Sequence, residues 1–401
     1  MRTADRSPSG PGPELRAAVA GLATPFGVLD ARALRHNIDD LRRRAAGTPI
    51  RVASKSVRMR TVLSRVLAEP GFAGVLCYAL PEAIWLRRTG FRDLVVGYPT
   101  VDRAAIGQLG ADDELASQIT LMVDDPAQLD LIDAAAPWPG RARIRVCLEL
   151  DAAYRPAGRA VTLGARRSPI RTPGQATALA RHIAGRPGFS LVGLMAYEGQ
   201  IAGVGNAGRH PRAVAVRAMQ HRSAAELAER RAAVVAAVRK LADLEFVNGG
   251  GTGSVESTVA DGSVTEVAAG SGLLGPALFD HYTAFRPAPA AYFVLPVVRR
   301  PARGLVTVAG GGWIASGPPG SDRLPTVAYP PGLRYLGTEA AGEVQTPLRG
   351  SAARALRIGD QVWFRHAKSG EVCEHLGELH LVDGGRIVEP LATYRGEGKA
   401  F

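Results

Sequence analysis

The chain has 401 residues, 46% of them hydrophobic and 21% charged, which is enough for one large domain or two ordinary ones with an ample core. Its formal charge of +12 comes from arginine spread along the whole length, with no basic block interleaved with aromatics. This argues against a nucleic-acid surface and suits a basic cleft for an anionic ligand equally well. No apolar run reaches membrane-spanning length, and three cysteines, Cys77, Cys147 and Cys373, are too few and too odd in number for a disulfide framework. A cytoplasmic protein is expected.

In chain order, Met1 to Gly12 is polar and rich in proline and glycine, without a signal-peptide core, and residues 1–22 are expected to be disordered. Phe26–Asp30 reads as a strand. Asp30 then caps a helix over Ala31–Ala46 with Leu34, Ile38 and Leu41 on one face. From there apolar strands recur at Ile50–Ala53, Gly74–Tyr78, Asp93–Val96, Ile119–Val123, Arg143–Leu150, Ser190–Met195, Leu244–Val247 and Val264–Ala268. Helical patterns fill most gaps, including a long one over Ala213–Ala242. The strands are continuous apolar runs, as in a parallel sheet covered on both faces. Eight of them predict an α/β architecture, a (β/α)8 TIM barrel, with a doubly wound open sheet as the second choice. Beyond about residue 285 prolines cluster, and short strands with Gly-rich turns follow, such as Leu305–Ala309 and Leu379–Val382. These predict a C-terminal all-β domain. The expected boundaries are 31–286 for the barrel and 23–30 plus 287–401 for the β domain.

Lysine is scarce in this arginine-rich chain, at positions 55, 240, 368 and 399 only. Lys55 stands where the first barrel strand meets solvent, on the face where barrel enzymes keep their active sites. An amine there can lose its proton and form a Schiff base, which a guanidinium cannot do. An ordinary lysine at a strand end would look the same. Two glycine-rich turns add weight: Asn248 to Ser254 after the seventh strand and Ala269 to Gly272 after the eighth. Main-chain N–H groups in such turns can donate to a phosphate, and these two loops are the usual phosphate site of barrels. Lysine and phosphate site on one face point to pyridoxal phosphate. A lysine-dependent sugar-phosphate aldolase is a rival, although its lysine usually lies on a later strand. Gly203, Gly205 and Gly208 spell a dinucleotide fingerprint but do not follow directly on a strand, and they read as a loop over the barrel mouth.

These motifs resemble those of fold-type III pyridoxal-phosphate enzymes, the D-threonine aldolase and D-serine dehydratase group related to alanine racemase. Proteins labelled amino acid deaminase/aldolase are similar over nearly the whole chain after residue 22. Arg51 and Lys55 match the lysine motif, with Ser56, Val57 and Arg58 replacing its usual Thr-His-Lys. Gly193, Tyr197 and Gly199 match on the sixth strand, with Gln200 in place of histidine. Gly249 to Gly253 match outright, and Glu266, Gly270 and Ser271 match on the eighth strand, with Ala268 in place of arginine. In the β domain His366 matches the first metal ligand, Lys368 stands at the second, and Cys373 lies downstream.

The resemblance implies a lyase that cleaves the Cα–Cβ bond of a D-configured β-hydroxy-α-amino acid. Lys55 and Tyr197 would be catalytic, together with His366. Arg51, Tyr197, Gly250, Gly251, Thr252, Gly253, Gly270 and Ser271 would join Lys55 in holding pyridoxal 5'-phosphate. His366 and Cys373 could hold a divalent zinc or manganese ion, since thiolate and imidazole suit such metals; equally, the site has lost its metal and Lys368 supplies a charge. A dehydratase-like deaminase, a racemase and a non-catalytic cofactor carrier stay open. The resemblance also implies a homodimer in which one β domain completes the partner's barrel mouth.

Overall fold

The computed structural model describes residues 10–401 apart from residue 159. The chain forms two units: Leu41–Lys55, Leu63–Gly270 and the terminal Phe401 make one, and the segments up to Asp40, Ser56–Val62 and Ser271–Ala400 make the other.

After a first strand β1 (Phe26–Asp30), eight strands follow: β2 (Ile50–Ala53), β3 (Phe72–Cys77), β4 (Leu94–Val96), β5 (Ile119–Val123), β6 (Ile144–Glu149), β7 (Phe189–Ala196), β8 (Phe246–Gly249) and β9 (Glu266–Ala269). Among the described residues β2 to β9 close into a parallel barrel in chain order, β9 returning to β2 with Val267 opposite Ile50. Every residue of β2, β5 and β9 is buried. Parallel strands covered on both faces need this, so the sequence shows unbroken apolar runs rather than alternation. Val95, Met122, Cys147, Val192, Met195 and Phe246 form one cluster of this core. Gly193 has no side chain because the Phe246 ring occupies the place where its Cβ would stand.

The covering helices start on chemical signals in the sequence. Asp125 with Gln128, and Thr172 with Gln175, form capping boxes, each with proline in the first turn. The long helix runs over Pro211–Val238 rather than 213–242, because the His210 ring accepts from the Ala213 N–H and Pro211 fits the first turn.

In the other unit lie β10 (Ala291–Ala302), β11 (Leu305–Ala309), β12 (Thr326–Tyr329), β13 (Leu333–Tyr335), β14 (Gln345–Gly350), β15 (Gln361–Arg365), β16 (Glu378–Asp383) and β17 (Arg386–Ala392). Nine strands of this unit make one sheet among the described residues, with the path β13-β14-β11-β10-β1-β16-β17 and with β15 pairing β10 and β12. β1 is antiparallel to β10 and parallel to β16. Its Phe26 and Val28 pack with Tyr292, Val294, Trp363 and Val382.

Disorder is expected from the sequence through residue 22. Residues 1–9 lie outside the described residues, but Pro13–Ala18 is helical, and Leu15 and Val19 pack into the same cluster as Phe26. Two apolar side chains four apart meet on one helix face, yet they are too few to show a period in the sequence. Among the described residues no helix is long and apolar enough to cross a membrane, and all three cysteines are free.

Candidate active site

Lys55 lies in a short 3-10 turn, Ser54–Ser56, directly after β2. The Ser54 hydroxyl donates to the Leu76 carbonyl at 3.1 Å and ties this turn to β3. The exposed Lys55 Nζ donates to Tyr98 Oη at 2.6 Å. Tyr98 follows β4. Burial alone would raise its phenol, but Lys55 and Arg167, both charged and both hydrogen-bonded to it, bring its pKa below the ordinary value. The Arg167 guanidinium stands 5.3 Å over the Tyr98 ring and 4.8 Å over the Tyr197 ring, a double cation–π position. Burial raises the Tyr197 phenol. Glu149, the last residue of β6, is pushed up to about 7 by burial; Arg167, 3.7 Å away, opposes the rise, and Asp124 and Asp151 add to it.

Behind Tyr197 lies a buried ionic brace. The Glu198 carboxylate accepts from the Gly250 N–H at 3.1 Å, from the Ser254 hydroxyl at 3.2 Å and from the Thr258 hydroxyl. It pairs with Arg231 at 3.2 Å, and Arg231 pairs with Asp261 at 2.9 Å. From another side, Arg44 donates to the Thr252 carbonyl at 2.7 Å and binds Glu256. The glycine loop after β8 is therefore held by side chains around it. Gly250 takes φ +85°, open to glycine at no cost. A Cβ on Gly251 would come within 2.9 Å of the Ala202 Cβ and 3.3 Å of the Tyr197 ring, and one on Gly270 within 2.5 Å of the Ala53 carbonyl oxygen. Glycine at these places lets the ends of β8 and β9 close in beside Tyr197 and the Lys55 turn.

Lys55, Tyr197, Gly250 to Gly253 and Gly270 thus all follow the C-terminal ends of barrel strands, as expected. Arg51 does not join them. It is buried, and its guanidinium donates to Glu266 at 2.6 and 2.8 Å and to the Asp93 carbonyl at 2.7 Å, with Asn248 donating to the same Glu266. Asp93 precedes β4 and Glu266 opens β9, so Arg51 reaches the N-terminal floor of the barrel. Its charge is spent there, and a part in cofactor binding is not carried forward. Gln200 donates to the Ala152 carbonyl at 2.7 Å and to Ser223 at 2.8 Å, a bracing role. Ser271, His366 and Cys373 sit in the β unit. Ser271 accepts at its carbonyl from Ser369 at 2.8 Å.

Residues 29–277, well over half of the chain, match the family described as alanine racemase, N-terminal domain. The chain belongs to the alanine racemase N-terminal domain family. The 3-hydroxy-D-aspartate aldolase of Paracoccus denitrificans (strain Pd 1222) is 27% identical over 263 residues, 62% of this chain and 60% of that one. The D-threonine aldolase of Arthrobacter sp is 29% identical over 266 residues, 66% of this chain and 63% of that one. The chain thus spans somewhat over half the length of the curated relatives it matches. Among solved structures, the D-threonine aldolase from Filomicrobium marinum superimposes with a TM-score of 0.77 at 23% identity, over 94% of this chain and 96% of that one. The D-threo-3-hydroxyaspartate dehydratase from Delftia sp. HT23 gives 0.68 at 19% identity, over 94% and 98%. At such identities the structures establish the shared fold, a TIM barrel with a separate β-sheet domain.

Pyridoxal phosphate is expected for the alanine racemase N-terminal domain family, and the barrel residues fit it. An amine stands at the mouth in hydrogen-bond contact with a phenol, beside a glycine loop whose tightest position a Cβ would close. Gly251→Val is accordingly expected to weaken cofactor binding by about tenfold or more, because the side chain must displace Ala202 or Tyr197. Fluorescence titration of the apoprotein checks it, and an unchanged Kd would move the phosphate site elsewhere.

The pair His366 and Cys373 does not fit a metal in the same way. His366 is buried, with Nδ1 3.2 Å from the Ala291 carbonyl and Nε2 3.4 Å from Ser369 Oγ, and burial lowers its pKa to about 3. The buried Cys373 thiol donates to the Val57 carbonyl at 3.4 Å, and burial pushes its pKa up to about 12. Among the described residues no three His, Cys, Asp or Glu side chains gather to hold an ion. Lys368 donates to the Ser316 hydroxyl at 2.7 Å.

Sequence reading missed Tyr98 and Arg167. Tyr98 had a usable signal, since it stands just beyond the C-terminal end of a barrel strand. Arg167 had none, being one of several arginines in an aperiodic stretch.

Proposed function

We propose that this chain is a pyridoxal-phosphate-dependent lyase that cleaves the Cα–Cβ bond of a D-configured β-hydroxy-α-amino acid. The contact between Lys55 Nζ and Tyr98 Oη at the barrel mouth carries the reading, because it places a bindable amine and an acidified phenol side by side. When bound, the cofactor supplies an electron sink for charge developing at Cα. Lys55 would hold the cofactor through its amine, and the main chain of Gly250 to Gly253 with Gly270 would receive its phosphate. Tyr98 Oη holds or passes the proton of the Lys55 amine, its ionised form favoured by two cations. Arg167 lies over the rings of both Tyr98 and Tyr197 and so walls the same space. No step is routed through a metal, since His366 and Cys373 are committed to bonds within the fold. His366 is a packing residue on this reading.

The same groups suit a dehydratase, and the fold shared with the Delftia enzyme favours that as the second reading. A panel of D- and L-β-hydroxy amino acids separates the two. Glycine plus an aldehyde is the expected product from the D series, undiminished by a chelator. An oxo acid plus ammonia would replace the aldolase with the dehydratase, and binding of cofactor without any turnover would leave a carrier. We also infer that the working unit is a homodimer in a reducing cytoplasm, in keeping with three free, buried cysteines. Sedimentation at working concentration as a single monomer would end the dimer reading.

A further inference from the structure

Glu149 ends β6 on the inside of the barrel. Leu76, Val95, Met122, Cys147, Met195 and Phe246 come from successive strands, β3 to β8, and pack on one another, which only the barrel interior allows. Side chains alternate along a strand, so Glu149 faces the same way as Cys147, one layer nearer the C-terminal mouth, and its partner on β7 is Met195. Asp124 stands in that same layer, two residues beyond Met122, and Tyr197 follows Met195 by two. The Glu149 side chain is buried, and among the described residues its one ion-pair partner is Arg167, at 3.7 Å. Arg51 closes on Glu266 in the barrel floor at 2.6 Å, so the Glu149 pair is loose by comparison. The other charged and titratable groups around Glu149 are Asp124, Asp151 and, one layer below, the buried Cys147 thiol, with the Tyr197 phenol on the adjacent strand end. Arg167 joins Glu149 to the reactive amine: the same guanidinium covers the rings of Tyr98 and Tyr197, and Tyr98 holds Lys55.

Cleavage of the Cα–Cβ bond needs an acceptor for the β-hydroxyl proton. Tyr98 is engaged by the Lys55 amine, burial keeps the Tyr197 phenol protonated, and Asp124 accepts from the Gln128 amide at 2.8 Å. Glu149 is the carboxylate of this layer that the fold holds most loosely, and burial sets it at about 7, where a base can both take and release a proton. We propose that Glu149 is the base that takes the β-hydroxyl proton during cleavage. This rests on the lyase reading above and adds a catalytic residue to it. The O–H bond breaks as its proton moves to a Glu149 carboxylate oxygen, the Cβ–O bond becomes the aldehyde carbonyl, and the electron pair of the broken Cα–Cβ bond stays with Cα. Cα then takes a proton from the Lys55–Tyr98 pair, which solvent restores, and Glu149 gives its own proton to solvent. One proton leaves oxygen and one reaches carbon, so the products are the aldehyde and glycine.

Glu149→Gln keeps the shape of the side chain and removes its basicity. Two reactions of the cofactor-loaded protein are compared. One is cleavage of D-threonine or 3-hydroxy-D-aspartate, whichever the wild type turns over faster. The other is exchange of a glycine α-proton in deuterium oxide, followed by NMR, which needs Lys55 but involves no β-hydroxyl. In Glu149→Gln the kcat for cleavage is expected to fall about 100-fold or more, while exchange, KM and thermal unfolding stay within about twofold of the wild type. Glu149→Asp, which keeps a carboxylate at a shorter reach, should cleave at an intermediate rate. In the wild type kcat/KM for cleavage should be full above a pKa of about 7, where Glu149 is ionised, and be lost as the pH falls through it. A wild-type profile that stays flat through that range overturns the proposal without any variant. Equal loss of cleavage and exchange in Glu149→Gln overturns it too, since Glu149 would then serve the site as a whole. So does a rise in KM at unchanged kcat, which assigns Glu149 to substrate binding. The lyase reading fails separately: a wild type that exchanges glycine but cleaves neither substrate ends the lyase and this role together, whereas a wild type that cleaves no faster than Glu149→Gln ends the role alone.

Discussion

Lys55→Ala is expected to leave the protein folded and to reduce turnover below about one thousandth of the wild-type rate. The side chain is exposed in a 3-10 turn that the Ser54 hydroxyl fixes to β3 independently of it, so truncation removes chemistry and leaves packing intact. Two readouts besides rate report on the same residue. Borohydride should no longer fix the cofactor to the protein, as judged by intact mass. The Tyr98 phenol, deprived of one of the two cations that lower its pKa, should titrate at higher pH than in the wild type, as followed by phenolate absorbance. A variant that still fixes cofactor covalently at full occupancy would overturn the assignment of Lys55. A folded variant with an unmoved Tyr98 titration would show that the short Nζ to Oη contact does not govern that phenol.

Arg231→Met should be the most destabilising of the single changes considered, at about 3–5 kcal/mol. Its side chain is only 1% exposed, and it separates two carboxylates, Glu198 and Asp261, that are nearly as buried. Removing the guanidinium leaves both without their counter-charge in a medium that solvates them poorly. Glu198 also accepts from Gly250, Ser254 and Thr258, so the damage should reach the glycine loop and appear as weaker cofactor binding. Adding Glu198→Gln and Asp261→Asn to Arg231→Met should recover part of the loss, because neutral amides no longer need the cation. Urea denaturation of the single and triple variants measures this. A loss below about 1 kcal/mol for Arg231→Met would mean that water reaches the brace and the charges are not truly buried.

The chemistry of the barrel mouth was legible where it depends on residue type at a strand end. One of only four lysines in an arginine-rich chain, and glycines with hydroxyls after the last two strands, stand out in one dimension because no packing rule calls for them there. The eight apolar runs were legible for a similar reason: parallel strands buried on both faces cannot hide their composition. Asp30 announced a helix start because a cap is a local bond, made within three residues.

What the tertiary structure alone decided are the pairings between residues far apart in the chain. Tyr98 meets Lys55 across 43 residues and Arg51 meets Glu266 across 215, distances over which no sequence period survives. Arg51 shows the limit most plainly. Its place four residues before Lys55 suggests the same site, yet its long side chain runs to the barrel floor, where only closure of β9 onto β2 supplies Glu266 as a partner. Arg167 is the converse, an unmarked arginine among many that barrel closure sets against two rings at the mouth. Composition and local capping therefore determine which elements form and where a reactive amine emerges. Long-range electrostatics, available only once the barrel has closed, decides which charges are spent on the fold and which are left to meet a substrate.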